Sequence, residues 1–253
     1  MANLAKKFDD FRKRHALPKK FRKPLAVISL LVWAFAASVV SQYIIGYLLL
    51  WTVGAGFFHT FAGIVIYQLI SYALSLFIAI FIPWRISKKG RTSREELGLN
   101  GLPTWTDIGL APLGFIASIL LALAITALFS LIMPFIDFNE AQELGYSVAM
   151  SAPERVISFL VVVVIVPIIE ETIYRGWLYG KLRAKLGMVL SIFLTSLFFG
   201  LAHLQWNVGI NVFAVSIVLC GLRELTGTIY AGILVHMIKN GVAFFLVYIL
   251  GIS

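Results

Sequence analysis

The chain has 253 residues, of which 60% are hydrophobic and 13% charged, and its mean hydropathy is +0.93. This composition lies outside the range of soluble globular domains and predicts a polytopic membrane protein. The net charge of +9 would fit nucleic-acid binding in a soluble protein. Here the basic residues lie between apolar stretches, where they orient a chain in the membrane, so we expect no nucleic-acid partner.

The first 24 residues form a basic segment ahead of the first apolar stretch. It is not a secretory signal, because its basic region is long and the apolar stretch behind it is too long and lacks a small-residue cleavage site. Two interpretations are open. The segment is either an amphipathic lead-in whose Phe8, Phe11 and Phe21 face lipid, or a disordered basic tail.

Seven apolar segments are candidates to cross the hydrocarbon core of a bilayer, which takes roughly 20 residues. They lie at about 25–51, 60–84, 105–135, 155–178, 188–204, 208–222 and 227–250. The fifth and sixth are short, so tilt or partial re-entry is expected, and six or eight spans are the alternative counts. The predicted fold is an all-α, polytopic membrane helix bundle of about seven transmembrane helices.

Lysine and arginine concentrate on one side of the predicted membrane. Nine precede the first span, five follow the second and three follow the fourth. The opposite connections, "WTVGAGFFHT" and "DFNEAQELGYSVAMSAPER", hold only Arg155. By the positive-inside rule the N-terminus is cytoplasmic, and seven spans then place the C-terminus outside. The expected location is an integral cell membrane.

The spans divide into two groups by their polar content. In the first three, Ser41, Gln42 and Gln68 are isolated polar groups that neighbouring helices can satisfy, so residues 25–153 are interpreted as a scaffold. Polar chemistry concentrates in residues 154–250, which we predict to be the catalytic helices. The single cysteine, Cys220, has no partner cysteine for a disulfide and is assigned to packing.

The stretch "IVPIIEETIYRGWLYG" (165–180) places two carboxylates and a guanidinium behind an apolar run. Residues four apart share a helical face, so Glu171 and Arg175 are predicted to pair. Glu170 is rotated by about 100° from Glu171, which leaves Glu170 free to face an interior cavity. Tyr174 lies on the Glu170 face and is expected to line that cavity.

Pro167 precedes these acids and removes one backbone donor, so we expect a kink that leaves a carbonyl near Val163 to be satisfied by a neighbour. A simpler interpretation is that the charged stretch marks the cytoplasmic end of the fourth span. Counted from Arg155, however, Glu170 lies about 22 Å along the helix, inside the bilayer and not at its end.

Two later spans carry histidines, His203 and His236. Ionisable groups inside apolar spans are rare and generally face the bundle interior. Asn240 lies four residues after His236 and shares its face. For His203 to meet His236 at one depth, the fifth span must begin in the interface, tilt, or bend near Gly200.

Together these side chains can carry out hydrolysis of a peptide bond. Glu170 and His203 could bind and deprotonate a water molecule, while His236 and Asn240 could donate to the developing oxyanion. Alternatively, Glu170, His203 and His236 could form a two-histidine, one-carboxylate zinc site with an open position for water. The residue pattern is compatible with either chemistry, without a cofactor or with a divalent metal such as zinc.

The motifs "EETIYRG", "FFGLAH" and "HMIKN" resemble the EExxxR, FxxxH and HxxxN motifs of the CPBP family, which comprises type-II CAAX prenyl proteases and bacteriocin-processing or immunity enzymes, also called Abi proteins. The resemblance covers roughly residues 155–247 and implies an all-helical intramembrane protease. It implies water activation by Glu170 and His203, and oxyanion support from His236 and Asn240. The matching partners within the first motif are Glu171 and Arg175.

The leading functional hypothesis is therefore an intramembrane endopeptidase that acts, in contact with membrane lipid, on a peptide or on a membrane-embedded protein segment. The alternative is a non-catalytic bacteriocin-immunity or membrane scaffold protein that uses the same bundle for binding. A transporter is a third possibility, but the chain lacks the broken-helix repeat expected of many transporters.

Overall fold

The computed structural model describes residues 24–86, 91–140, 146–147 and 150–251, so the predicted basic segment lies, except for Pro24, outside the described residues. All regular structure within the described ranges is helical. Six helices are long and apolar enough to cross a membrane: α1 (Pro24–Val53), α2 (Phe61–Ile86), α3 (Trp105–Ile132), α4 (Ala152–Arg183), α6 (Trp206–Thr226) and α7 (Tyr230–Tyr248). A shorter apolar helix, α5 (Met188–Leu201), lies between α4 and α6. The predicted helical membrane bundle is confirmed.

Two of the long helices begin at capping boxes, in which a side chain and a backbone N–H satisfy each other across the first turn. At the start of α3, the Thr104 N–H donates to Asp107 Oδ2 at 2.8 Å, and Asp107 N–H donates back to Thr104 Oγ1 at 3.3 Å. At the start of α4, the Ser151 N–H donates to Glu154 Oε2 at 2.8 Å. These caps fix where each helix leaves its connecting segment.

Large apolar side chains cover the outer surface of the bundle. Trp51 is 90% exposed and Leu131 is 81% exposed, whereas Ala34 and Ala37 on the inner side of α1 are fully buried. A soluble protein rarely exposes apolar surface on this scale, and a helical backbone satisfies its own polar groups in lipid. The outer surface therefore fits hydrocarbon, as expected for an integral membrane protein.

Helix α6 is central to the second half of the bundle, where it packs against α3, α5 and α7. The contact with α5 is made by backbone, because a Cβ on Gly200 would lie 2.6 Å from the Gly209 carbonyl oxygen. A Cβ on Gly209 would in turn lie 2.9 Å from Gly200 O. Only glycine permits this approach, which positions the end of α5 beside the start of α6.

Helix α4 has two π-helical stretches, Leu160–Ile165 and Thr172–Leu178, one on each side of a short α-helical section, Val166–Glu171. In the first stretch the Val166 N–H bonds to Val161 O, five residues back. Such wide turns often occur at functional sites. The section between them carries Glu170 and Glu171.

Candidate active site

The four residues predicted to be catalytic line one cavity. This cavity, here called the histidine cavity, has a volume of about 230 Å³ and is lined by Glu170 of α4, His203 of the turn after α5, and His236 and Asn240 of α7. Further lining residues include the polar side chains of Tyr72 and Lys239 and the apolar side chains of Val162, Val166, Phe244 and Val247. The fold thus brings together side chains from three elements that are distant in sequence.

Glu171 lies at the centre of a buried hydrogen-bond network. Arg175 Nη1 donates to Glu171 Oε1 at 2.8 Å, and both side chains are fully buried, so the predicted pair is confirmed. The same oxygen also accepts from His236 Nδ1 at 3.0 Å. The Arg175 guanidinium lies over the Phe199 ring, 4.4 Å from its centroid, which adds a cation–π contact. Glu171 therefore fixes the orientation of the His236 ring.

Glu170 faces the cavity, as the helical spacing predicts, and has two polar neighbours there. Its Oε1 accepts a hydrogen bond from the Tyr72 hydroxyl at 3.1 Å, and its Oε2 lies 3.6 Å from His236 Nε2. His236 thus lies between the two adjacent acids, with one ring nitrogen directed to each. The neighbouring carboxylates have different partners because they point in different directions from α4.

His203 lies in the turn that follows α5. Its Nδ1 is 2.9 Å from the Phe199 carbonyl oxygen. A carbonyl only accepts, so Nδ1 carries the proton and Nε2 keeps its lone pair. His203 and His236 line one cavity, and α5, which has 14 residues, ends at Leu201, one residue after the expected bend at Gly200.

Asn240 satisfies the backbone carbonyl left free by the proline in α4. Its Nδ2 donates to Val162 O at 3.0 Å. The prediction placed the free carbonyl near Val163, four residues before Pro167. In the wider π-helical turn the missing N–H of Pro167 would have reached five residues back, to Val162, so the free carbonyl is shifted by one position.

Tyr174 is buried and lines a second cavity that Glu170 also lines. Its hydroxyl lies 2.8 Å from Ser38 Oγ of α1. The prediction that Tyr174 shares a cavity with Glu170 is therefore confirmed, although Tyr174 does not reach the histidine cavity in the described part of the chain.

Four polar residues that line the histidine cavity were not assigned to the site from the sequence: Gln68, Tyr72, Lys239 and Tyr248. The signal for Tyr72 was a polar stripe on α2, where Gln68, Tyr72 and Ser75 recur at helical spacing. Lys239 stands beside Asn240 inside "HMIKN", and an ionisable residue within an apolar span is itself an indication of function. The region interpreted as scaffold therefore also reaches Glu170, through Tyr72.

The described part of the chain contains no group of three or more histidine, cysteine, aspartate or glutamate side chains arranged to hold a metal ion. The zinc alternative requires Glu170, His203 and His236 to converge. Nδ1 of each histidine is bonded, to Phe199 O and to Glu171 respectively, which leaves Nε2 as the nitrogen that could bind a metal. The chemistry below uses only side chains.

Residues 152–242 match the family model of type II CAAX prenyl endopeptidase, Rce1-like. This segment is Rce1-like. It runs from the start of α4 into α7 and contains the four residues predicted to be catalytic, so the family resemblance is confirmed. At the family level, this match identifies a membrane protease, which is a hydrolase. Comparison with curated proteins and with solved structures gives no match.

Proposed function

We propose that this protein is an intramembrane endopeptidase in which Glu170 and His203 activate a water molecule and His236 and Asn240 stabilise the oxyanion. One observation carries the proposal: these four side chains line the same cavity of about 230 Å³. Their match to a protease family over residues 152–242 supports the reaction class.

Water activation requires a base and a second group that orients the water. The lone pair of His203 Nε2 is available, because Nδ1 donates to Phe199 O. In the proposed step, Glu170 takes a proton from a water held by His203, and the resulting hydroxide attacks the carbonyl carbon of the scissile bond. The protonated Glu170 then gives its proton to the leaving amine as the C–N bond breaks, which returns the site to its starting state.

Charge develops on the carbonyl oxygen during this attack, and His236 and Asn240 are the proposed donors. Glu171 accepts from His236 Nδ1, so Nε2 can donate to the oxyanion only when both ring nitrogens carry a proton, and His236 is proposed to act in that form. Asn240 uses one N–H for Val162 O and has a second N–H to donate. Removal of one such donor from an acyl-transfer site typically lowers kcat by about 10²–10³.

The walls of the histidine cavity indicate the kind of substrate. Val162, Val166, Phe244 and Val247 line this cavity together with the polar groups. An apolar stretch of a peptide or of a membrane protein can pack against these apolar side chains while its backbone reaches the polar groups. We propose that such segments are the substrates and that membrane lipid surrounds the bundle, with the N-terminus cytoplasmic.

The test is cleavage of a panel of quenched fluorescent apolar peptides, prenylated and unprenylated, by the full chain in liposomes. Glu170→Gln and His203→Ala should each lower kcat by about 10²–10⁴, the usual contribution of a general base. Glu95→Gln is the matched control, because Glu95 is an exposed carboxylate outside both cavities. Unchanged cleavage by either site variant would refute the water-activation roles. Full cellular function of both variants would instead favour a binding protein.

A further inference from the structure

A second cavity adjoins the histidine cavity and is also lined by Glu170. It has a volume of about 120 Å³ and is here called the serine cavity. Helices α1 and α2 contribute six of its polar residues: Ser38, Ser41, Gln42, Ser71, Tyr72 and Ser75. These side chains carry hydroxyl or amide groups and no formal charge. Such a lining, within a membrane bundle, fits a small neutral polar ligand.

The polar groups of the serine cavity are only partly satisfied by protein. Ser41 Oγ and Gln42 Nε2 both donate to Ser38 O, at 3.1 and 3.2 Å. Ser71 Oγ is buried and makes no hydrogen bond of normal geometry, although it interacts with the Tyr67 phenol. A buried hydroxyl without a hydrogen bond destabilises the fold, and a bound water usually supplies the missing partner.

Water also fits the size of the serine cavity. One molecule in liquid water occupies about 30 Å³, so the cavity has room for several. A bound water needs two to four polar partners. The lining offers Ser71 Oγ, the Glu170 carboxylate and His203 Nε2 as such partners.

Glu170, His203 and Tyr72 line both the serine cavity and the histidine cavity. They therefore form the partition between the two. An apolar peptide that fills the histidine cavity displaces water from that side of Glu170. Each peptide bond hydrolysed consumes one water, and the serine cavity offers a source for it because the same base lines that cavity.

We propose that the serine cavity is a water site that supplies the hydrolytic water to Glu170 while substrate occupies the histidine cavity. This inference rests on the proposed function, because it assigns a source to the water that Glu170 activates. It gives α1 and α2 a part in the reaction beyond support of the bundle.

The test compares substitutions that exclude water with substitutions that leave room for it. Ser71→Val and Ser75→Val add bulk and remove a hydroxyl, whereas Ser71→Ala and Ser75→Ala remove the hydroxyl alone. With an apolar quenched peptide in liposomes, each valine variant should lower kcat at least about tenfold with KM changed less than about twofold. Each alanine variant should keep a higher kcat than the matching valine variant, because the space for water remains, although Ser71→Ala also removes one partner of the water.

Ser216→Val is the matched control, since Ser216 is also fully buried without a hydrogen-bond partner but does not line the serine cavity. It should leave both constants unchanged. A raised KM with unchanged kcat in the valine variants would show that substrate occupies the serine cavity, and unchanged constants would show that it has no role. Either result overturns the proposal.

A second measurement does not depend on how the variants fold. In an experimental structure of the wild-type chain in lipid nanodiscs, at a resolution that shows water, density should appear in the serine cavity within hydrogen-bond distance of Glu170. An empty serine cavity overturns the water site. If Glu170→Gln keeps full activity, the proposed function fails. If Glu170→Gln is inactive and the valine variants are normal, only the water supply fails.

Discussion

Glu171 Oε1 accepts a hydrogen bond from His236 Nδ1 at 3.0 Å, although 65 residues separate the two side chains in sequence. The same oxygen binds the buried Arg175 guanidinium at 2.8 Å. Glu171 therefore neutralises a buried cation and positions a histidine at once. These two tasks can be separated by substitution, because Arg175 is required for the first and His236 for the second.

Glu171→Leu should be both unstable and inactive. It leaves the Arg175 charge buried without its partner, and breaking a buried ion pair typically costs about 3–5 kcal/mol. The double variant Glu171→Leu/Arg175→Met removes both charges and should recover most of the lost thermal stability. It should stay at least about tenfold below wild type in kcat, because the His236 ring is no longer held. Thermal unfolding in detergent and peptide cleavage measure the two effects, and a fully active double variant would contradict the positioning role.

Asn240 and Pro167 should be coupled through the Val162 carbonyl. Asn240→Ala leaves that carbonyl unpaired and should cost about 1–3 kcal/mol of stability. Pro167→Ala supplies a backbone N–H that can bond to Val162 O in the π-helical turn, so the same Asn240 substitution should cost less in that background. A double-mutant cycle by thermal unfolding measures the difference. Additive effects would show that Pro167 is not the reason why Asn240 binds this carbonyl.

Catalysis provides a separate measure of Asn240 in the same variants. If Asn240 donates to the oxyanion, Asn240→Ala should lower kcat by about 10²–10³ whether residue 167 is proline or alanine. Recovery of kcat in the Pro167→Ala background would mean that Asn240 acts only through the backbone of α4. The stability measurement therefore concerns the Asn240 N–H that bonds to Val162 O, and the activity measurement concerns the N–H that is proposed to bond to the oxyanion.

The helical membrane fold follows from composition and segment length alone, because a bilayer imposes both on any chain that crosses it. The pairing of Glu171 with Arg175 follows from spacing, since both residues lie on one helix. The bond from Glu171 to His236 was not predictable in this way. It depends on how α7 packs against α4, and that packing is set by many weak contacts that no single motif encodes.

The position of the carbonyl bonded by Asn240 shows a second limit. Regular α-helical geometry predicts the free carbonyl near Val163, and the structure places it at Val162 because α4 widens to π-helical turns before Pro167. A π-helical turn contains one more residue than an α-helical turn, and an apolar run such as "VVVVIV" has no sequence feature that indicates it. Tyr72, by contrast, lies on a polar stripe of α2 with Gln68 and Ser75. The sequence shows this stripe, but Gln68 was interpreted as an isolated polar group.

Gly200→Ala should be among the most damaging single-methyl additions in the chain. Its Cβ would lie 2.6 Å from the Gly209 carbonyl oxygen, so α5 and α6 would have to separate, and the His203 turn three residues later would move with α5. We expect lower thermal stability together with at least about tenfold lower kcat. The matched control is Gly221→Ala on α6, where no atom lies within 4 Å of the added Cβ. Alanine there should be neutral or stabilising by up to about 1 kcal/mol. Equal effects at the two positions would contradict the close helix contact.

Tyr146, in the connection between α3 and α4, should weaken the fold when it ionises. Burial raises the pKa of its phenol from 10.0 to about 12, and repulsion from Tyr248 adds to the rise. The neutral hydroxyl donates to Gln68 Oε1 at 2.7 Å, a bond that the phenolate cannot make. A raised folded-state pKa stabilises the fold fully below the unfolded value, and this contribution is lost as the pH rises from about 10 to about 12.

The absorbance at 295 nm should be measured for wild type and for Tyr146→Phe across the pH range. The difference between the two should therefore titrate near pH 12. The stability advantage of wild type over Tyr146→Phe should shrink across the same window, because only wild type loses a hydrogen bond there. Titration of this tyrosine near pH 10 would show that its phenol is solvated and does not pack against Gln68 of α2 and Tyr248 of α7 in the membrane.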